Sequence, residues 1–580
     1  MAFLTIWKKA FASGACYAEA ESLHAPEGDG SMTKRTPATD ADTPIDLAGS
    51  HRTPVAGATR TGRTRADSPV TVTVKLRRRA AMTHDVSSGE ALSRDQLAEA
   101  FGADPDDLKR VTDTFEALGL SVADASLATR SLTLTGSAGA MEAAFGVELS
   151  DYAIPGGGYR GRTGAVQLPA SVSDLVVGVF GLDDRKVARR RHRLRTHAHD
   201  AGDLAGGAAT PLTPAQLTAR YSFPPGDGAG QTVGLLEFGG GFQPADLNQF
   251  CDLAGVGAAP EVRVVSVGGA PTDQIDDATG EVMLDVEVIA GACPGARIAI
   301  YFAAWTEQGW LAALDAALQD KANDLGVLSI SWGAPEEADI WTPQAMQQVN
   351  EALKDAAALG ITVCVATGDD GSSDGVKDGR AHVDFPASSP FALAVGGTTI
   401  PGAAAAGVPS GPDRAWKLGD GLRADSGGSS GGGVSGVFPR PSWQAGLTVA
   451  PVNAGGLAGR CVPDLAVNAD WTTSPYLTVV NGASKAGGGT SAAAPLVAAL
   501  ITRINAARAS GGKPRVGCLT PRLYTAATAG GPPLGHLVCV DVVEGDNATA
   551  AAGGYEAGPG YDAVSGWGTP DGVKLAAALS

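Results

Sequence analysis

The chain has few histidines, and none stands where a serine nucleophile would need a base. Six of the eight (His24, His51, His84, His192, His197 and His199) fall in its first third. His382 lies in Arg380-Ala381-His382-Val383-Asp384 and His536 near the C-terminus, neither in a His-Gly-Thr setting. An imidazole-based serine triad is therefore excluded. Seven scattered cysteines make no disulfide framework, and no Cys/His spacing fits zinc. Cys251 with Cys293, or Cys518 with Cys539, are possible pairs, and buried free thiols are the alternative. No apolar run reaches membrane-spanning length, and the apolar stretch Phe3 to Trp7 ends at Lys8-Lys9, too soon for a signal-peptide core. Positive charge is scarce where it would matter. The net charge is −18, and 19 of 44 Lys and Arg, against 36 of 62 acids, follow residue 208. An acidic surface of that kind argues against nucleic acid or an anionic membrane as partner.

What is present begins with Ser491, in Gly487-Gly488-Gly489-Thr490-Ser491-Ala492-Ala493-Ala494-Pro495. The glycines suit a tight turn, and the apolar run from Ala492 to Ala507 reads as a buried helix. Pro495 is expected in its first turn, where a missing N–H costs little. A hydroxyl at that end faces unpaired backbone donors and the positive pole of the helix dipole, a setting that favours an oxyanion. No Gly-x-Ser-x-Gly elbow surrounds it, which disfavours an esterase.

With no imidazole at hand, carboxylates are the candidate bases. In Gly280-Glu281-Val282-Met283-Leu284-Asp285-Val286-Glu287, the side chains of Glu281 and Asp285 share one helix face. The segment reads either as a solvated acidic edge or as a catalytic pair, and Glu287 reads as an edge residue. Asp369, in Ala366-Thr367-Gly368-Asp369-Asp370-Gly371, follows the apolar run Ile361 to Val365. It is either an Asx turn or a functional residue at the carboxyl end of a buried parallel strand.

Taken together these segments resemble the sedolisin family of serine-carboxyl peptidases, in its kumamolisin-like branch, from about Arg65 to the end of the chain. The resemblance implies a triad of Ser491, Glu281 and Asp285, with Asp369 in the oxyanion hole. Asp370 stands where the family has serine and adds a negative charge. Leu235-Leu236-Glu237-Phe238 and Ser329-Ile330-Ser331-Trp332-Gly333 match segments whose glutamate and tryptophan extend the network, here Glu237 and Trp332. Further agreement comes from Ser430 to Ser435, Phe438 to Gln444 and Val462-Pro463-Asp464. Near the C-terminus, Asp541-Val542 and Gly558-Pro559-Gly560-Tyr561-Asp562 read from residues alone as plain turns or as a hard-oxygen site. The resemblance implies a structural Ca²⁺ there, held by Asp541 and Asp562 with carbonyls of Val542, Gly558 and Gly560.

The chemistry so implied is acidic. A glutamate base works near its ordinary pKa of about 4.3. An aspartic acid donating to an oxyanion must be protonated, which burial or a neighbour such as Asp370 would favour. The expectation is an acid-active endopeptidase acting on proteins or peptides, secreted, monomeric, and made as a precursor that inhibits itself.

Four regions follow. Residues 1–65, rich in Ala, Thr, Pro and Gly, are expected to be disordered, with Met1 or Met32 as the start. Residues 66–184 read as strand, two helices, strand and helix, a ferredoxin-like α+β unit resembling the family's prosegment. Residues 185–209 form a basic linker holding the activation cut. It is either a solvated connection or a strap across the acidic domain, loosened in acid through His192, His197 and His199. Residues 210–580 alternate strands and helices and are expected to form a subtilisin-like, doubly wound, mostly parallel α/β domain. Its strands are Thr232 to Phe238, Val262 to Val267, Arg297 to Phe302, Val327 to Ser331, Ile361 to Ala366 and Ala392 to Gly397.

Overall fold

The computed structural model describes residues 43–580 apart from 87–88, 188, 191–192, 196–208, 338, 403–410 and 426. Met32 and the linker residues His192, His197 and His199 lie outside the described residues.

In the N-terminal domain, strand Pro69–Leu76 turns Val70, Val72 and Val74 inward at every second residue, as a half-buried strand must. Helix Arg94–Phe101 starts at a capping box between Ser93 and Gln96, and helix Pro105–Ala117 at an Asp104 cap followed by proline. Strands Ser121–Ser126 and Ser131–Ser137, helix Ala138–Phe145 and strand Val176–Phe180 complete a βαββαβ order. The four strands form one antiparallel sheet in which Ser131–Ser137 and Val176–Phe180 flank Pro69–Leu76. That is the ferredoxin-like arrangement. The strand reading missed Ser121–Ser126, whose sequence Ser-Val-Ala-Asp-Ala-Ser carries little apolar alternation. The boundary at residue 65 needs correction. Strands Ile45–Asp46 and Thr59–Arg63 pair with Gln167–Leu168 and Leu149–Ile154, so the chain before residue 65 belongs partly to this domain.

The C-terminal domain is built on a sheet whose parallel strands run Val262–Ser266, Arg297–Phe302, Thr232–Glu237, Val327–Ile330, Thr362–Ala366, Leu393–Thr399 in spatial order. The inner strands are apolar throughout because both faces are covered. Leu235 and Cys364 point into one core with helices Thr279–Ala292 and Thr490–Ser510. Leu236, Val363 and Val365 point into the other, with helices Glu307–Gln319 and Pro343–Ala358. Strand Leu465–Asn468 adds a further parallel partner to Leu393–Thr399, and a hairpin of Tyr476–Val480 and Ala483–Gly488 leads into the helix bearing Ser491. Neither was anticipated. That helix is long and apolar enough to cross a membrane, but 83% of its apolar window is enclosed by protein.

The two domains meet over the second core. Gln344 exchanges hydrogen bonds with the backbone of Val179 (3.2 and 3.0 Å). Cations of the first domain face acids of the second: Lys75 with Asp315 at 2.5 Å, Arg78 with Glu351 and Asp355 at 2.9 Å each, and Arg130 with Asp355 at 3.4 Å. Asp355 serves two guanidiniums that are both nearly buried. Removing one partner of a buried pair typically costs about 3–5 kcal/mol. Asp355→Ala should therefore let the N-terminal domain undock before the main unfolding transition, seen as a separate early step in calorimetry. A single transition at the original temperature would contradict this.

Candidate active site

Four functional side chains sit at or just beyond the carboxyl ends of parallel strands, where open α/β sheets place their ligands. Glu237 ends strand Thr232–Glu237, Ser331 and Trp332 follow Val327–Ile330, and Asp369 follows Thr362–Ala366. Glu281 and Asp285 lie one turn apart on helix Thr279–Ala292, which packs against the helix carrying Ser491. Glu237, Glu281, Asp285, Asp369 and Ser491 are all buried.

Ser331 joins the two helices. Its Oγ lies 3.0 Å from Asp285 Oδ1 and 3.2 Å from the Ser491 carbonyl, while Ser491 Oγ donates to the Ser331 carbonyl at 3.4 Å. The Ser491 carbonyl is available because of Pro495. The helix begins at Thr490, so Pro495 lies inside it and not in its first turn, which corrects the sequence reading. The N–H that would bond the carbonyl four residues back does not exist in proline. One hydroxyl proton cannot serve both acceptors of Ser331. With Asp285 protonated, its carboxyl donates to Ser331 Oγ, Ser331 donates to Ser491, and both short contacts are satisfied.

Protonation is what the surroundings favour. Burial, then the charges of Glu237 and Glu281, push the Asp285 pKa far above the usual carboxylate range. Burial and the Glu281 charge do the same to Glu237, against the opposing bond from Trp332 Nε1 to Glu237 Oε2 at 2.9 Å. Trp332 in turn packs edge-on against Trp305 (4.8 Å between ring centres) and Phe238 (5.8 Å).

Asp369 is brought to the same end of the Ser491 helix. Its Oδ1 accepts from Thr490 N at 2.8 Å and Thr490 Oγ1 at 2.6 Å, while Oδ2 is buried with no protein partner. Gly489, at φ +106°, makes the turn that presents both Thr490 donors, a conformation glycine adopts without strain. Burial raises the Asp369 pKa to about 6, and Arg423 holds it from going higher. Asp370 contributes least. Its charge is neutralised by Arg423, whose Nε and Nη2 reach Asp370 Oδ2 at 2.9 and 2.5 Å. Arg423, in an irregular stretch, carried no sequence signal.

Glu287 is not an edge residue. It is fully buried, accepting from Thr478 Oγ1 at 2.5 Å and Val479 N at 2.9 Å, and burial pushes its pKa well up. Helix Thr279–Ala292 is enclosed on all sides, so an acid at any of its positions is buried.

The C-terminal loop gathers its five predicted residues. Gly560 N donates to Asp541 Oδ2 at 2.8 Å and Gly558 N to Asp562 Oδ2 at 3.0 Å, with Val542 buried beside them. Asp541 Oδ1 is buried with no protein partner. An orphaned, buried carboxylate oxygen among backbone carbonyls is a donor set suited to a hard cation. Among the described residues no group of three or more His, Cys, Asp or Glu side chains is arranged for a metal, so carbonyls must supply the remainder. The six described cysteines are free thiols; neither Cys251 with Cys293 nor Cys518 with Cys539 is bonded.

Between the domains, the linker enters the site as backbone. Val187 N donates to the Trp305 carbonyl at 3.3 Å. Arg189 and Arg190 pair antiparallel with Gly333 and Trp332. Arg193, Leu194 and Arg195 pair antiparallel with Gly488, Gly487 and Ala486, just ahead of Ser491.

A doubly wound parallel sheet with a serine at a helix start, a buried carboxyl set in place of histidine and an N-terminal βαββαβ domain defines a serine peptidase of subtilase type with its prosegment attached. Residues 56–185 match the pro-kumamolisin activation domain, and residues 264–535 match the subtilase family. The chain is 42% identical to kumamolisin of Bacillus sp. (strain MN-32) over 551 residues, 92% of this chain and 96% of that protein. It is 31% identical to sedolisin of Pseudomonas sp. (strain 101), over 77% of this chain and 74% of that protein. It is also 31% identical to human tripeptidyl-peptidase 1, over 57% of this chain and 56% of that protein. The solved Pseudomonas sedolisin complexed with pseudo-iodotyrostatin superposes with a TM-score of 0.53 at 30% identity, over 64% of this chain and 98% of that one. The chain thus belongs to the sedolisin family of serine-carboxyl peptidases, as a kumamolisin-like precursor.

Five buried carboxyls have raised pKa values: Asp369 to about 6, Glu336 to about 7, and Glu237, Asp285 and Glu287 well above normal. A carboxyl whose folded pKa exceeds its unfolded one adds stability that is full below the unfolded value and lost as pH rises through the folded one. The Ser491→Ala chain should melt at a higher temperature near pH 4 than near pH 8, the loss setting in between about pH 4 and 7. Equal or higher stability at pH 8 would contradict the raised values.

Proposed function

We propose that this protein is an acid-active serine-carboxyl endopeptidase made as a self-processing zymogen. The observation that carries the reading is the course of residues 187–195. Polypeptide pairs with Trp332 and Gly333 on one side of the nucleophile and with Gly487 and Gly488 on the other, and continues in both directions. This supports cutting within a chain, whereas the tripeptidyl-peptidase relatives would favour action near an end.

In this reading Ser491 attacks the substrate carbonyl while Glu281 takes its proton. The proton then passes to the leaving amine, and water hydrolyses the ester by the same path. Asp285, tied through Ser331 to Ser491, orients Glu281 and shares its proton; Glu237 and Trp332 extend that network. Asp369, protonated on Oδ2, donates to the oxyanion, a contact whose loss typically costs about 2.7–4 kcal/mol in the transition state. The donor is present below its pKa of about 6 and disappears as pH rises through it.

Self-cleavage of the full chain should be fast in acid, fall off above about pH 6, and first cut between Arg190 and Arg193. Ser491→Ala should abolish it, and Glu281→Gln should slow it about 10²–10⁴-fold. Cleavage as fast at pH 8 as at pH 4, or undiminished in Glu281→Gln, would overturn the reading.

We also propose a structural Ca²⁺ in the C-terminal loop, held by Asp541, Asp562 and the carbonyls of Val542, Gly558 and Gly560. Chelation should lower the melting temperature, added Ca²⁺ should restore it, and Asp541→Ala should remove the response. A melting temperature indifferent to chelator would count against the site.

A further inference from the structure

We propose that the prosegment contains a second cleavage site for this same active site, the turn Arg77-Arg78-Arg79-Ala80-Ala81, cut in trans once the linker has been severed. The inference rests on the peptidase reading above. The chain contains two runs of three arginines, Arg77-Arg78-Arg79 and Arg189-Arg190-Arg191. The second is the one whose backbone enters the site. Aligning the two runs places the bonds from Arg190 to Arg193 over those from Arg78 to Ala81.

The turn has the properties of a cuttable segment. It follows strand Pro69–Leu76 and precedes helix Arg94–Phe101, and residues 77–81 belong to no helix or strand. Arg77, Arg79, Ala80 and Ala81 are exposed. Within the prosegment it is tethered by a few side-chain bonds, Arg77 to Asp107 at 2.9 Å and Arg79 to the Ala103 carbonyl at 2.7 Å. It is guarded as long as the domains are docked. Arg78 is paired with Glu351 and Asp355 of helix Pro343–Ala358, Leu92 N donates to the Ala358 carbonyl at 2.8 Å, and Met82 and Val86 pack on the second core. Meanwhile the linker lies along the cleft. The order is therefore built in: linker first, undocking next, the arginine turn last. Cutting inside the inhibitor would make activation irreversible. The bond chemistry is that of any substrate. Ser491 Oγ becomes esterified to the arginine carbonyl carbon as the C–N bond breaks and the amine takes a proton. Water then supplies hydroxyl to the new carboxyl end and hydrogen to Ser491.

The test follows the full-length chain in acid by intact mass and N-terminal sequencing, with and without added mature enzyme. The expected result is a linker cut first, then prosegment fragments beginning at Arg79, Ala80 or Ala81, appearing faster with added enzyme. Arg77→Gln/Arg79→Gln, which keeps Arg78 and its ion pairs, should retain the linker cut and lose those fragments. Ala80→Pro/Ala81→Pro, which keeps all three arginines, should do the same. A severed linker with a prosegment that accumulates intact, or is cut only elsewhere, would overturn this inference and leave the peptidase reading standing. Absence of any linker cut would sink both.

Discussion

Carboxyl groups buried without a counter-cation must carry protons, and the whole active end of this molecule is arranged around that constraint. Glu237, Glu281 and Asp285 lie inside the protein with Trp332 and Ser331 as donors, and burial dominates the behaviour of Glu237 and Asp285. Where the fold wants an ionised carboxylate it provides a guanidinium, as in the pairs of Asp370 with Arg423 and Asp464 with Arg460. The contrast between Asp369 and Asp370, adjacent in sequence, is the sharpest case. One has two bonds from Thr490 and a bare buried oxygen; the other has the arginine. Two neighbouring aspartates are thus held in different protonation states by what each faces.

Proton placement also depends on backbone chemistry far from any charge. A proline five residues into the helix of Ser491 leaves the serine's own carbonyl open, and Ser331 fills the gap while touching Asp285. The nucleophile is positioned by a strand end on one helix and a missing donor on another. That link gives the carboxyl set a physical connection to the serine that does not require a histidine.

Much of this was legible in the residues, for reasons that differ by element. Buried parallel strands are apolar on both faces, so Thr232–Glu237 and Thr362–Ala366 stand out as short continuous runs. Helix Pro244–Ala254 announces itself with proline at its start and glycine at its end. Strand Leu465–Asn468 and the hairpin ending at Gly488 are short or glycine-rich, and their pairing is set by tertiary neighbours. Glu287 was misread because an acid in a helix is ordinarily solvated, and a helix enclosed on every side breaks that rule. The roles of Ser331, Thr490, Arg423 and Pro495 arise from contacts across 50 to 160 residues of sequence, which no local pattern encodes. Ser491, Glu281, Asp285 and Asp369 were reached through a missing histidine and a family likeness, and the structure brings them to one end of one sheet.

The linker and the prosegment belong to the same logic. The chain is held by cations of one domain against acids of the other, with its own backbone along the cleft, so acid acts on the lock and on the catalyst together. The most direct test of the protonated-carboxyl account is infrared spectroscopy of the Ser491→Ala chain, following the carbonyl stretch of neutral carboxylic acids as pH is raised. The account predicts bands from buried, hydrogen-bonded COOH groups that persist past pH 5, one of them titrating near pH 6 and assigned by its loss in Asp369→Asn. A spectrum in which every carboxyl is ionised by pH 5 would contradict it.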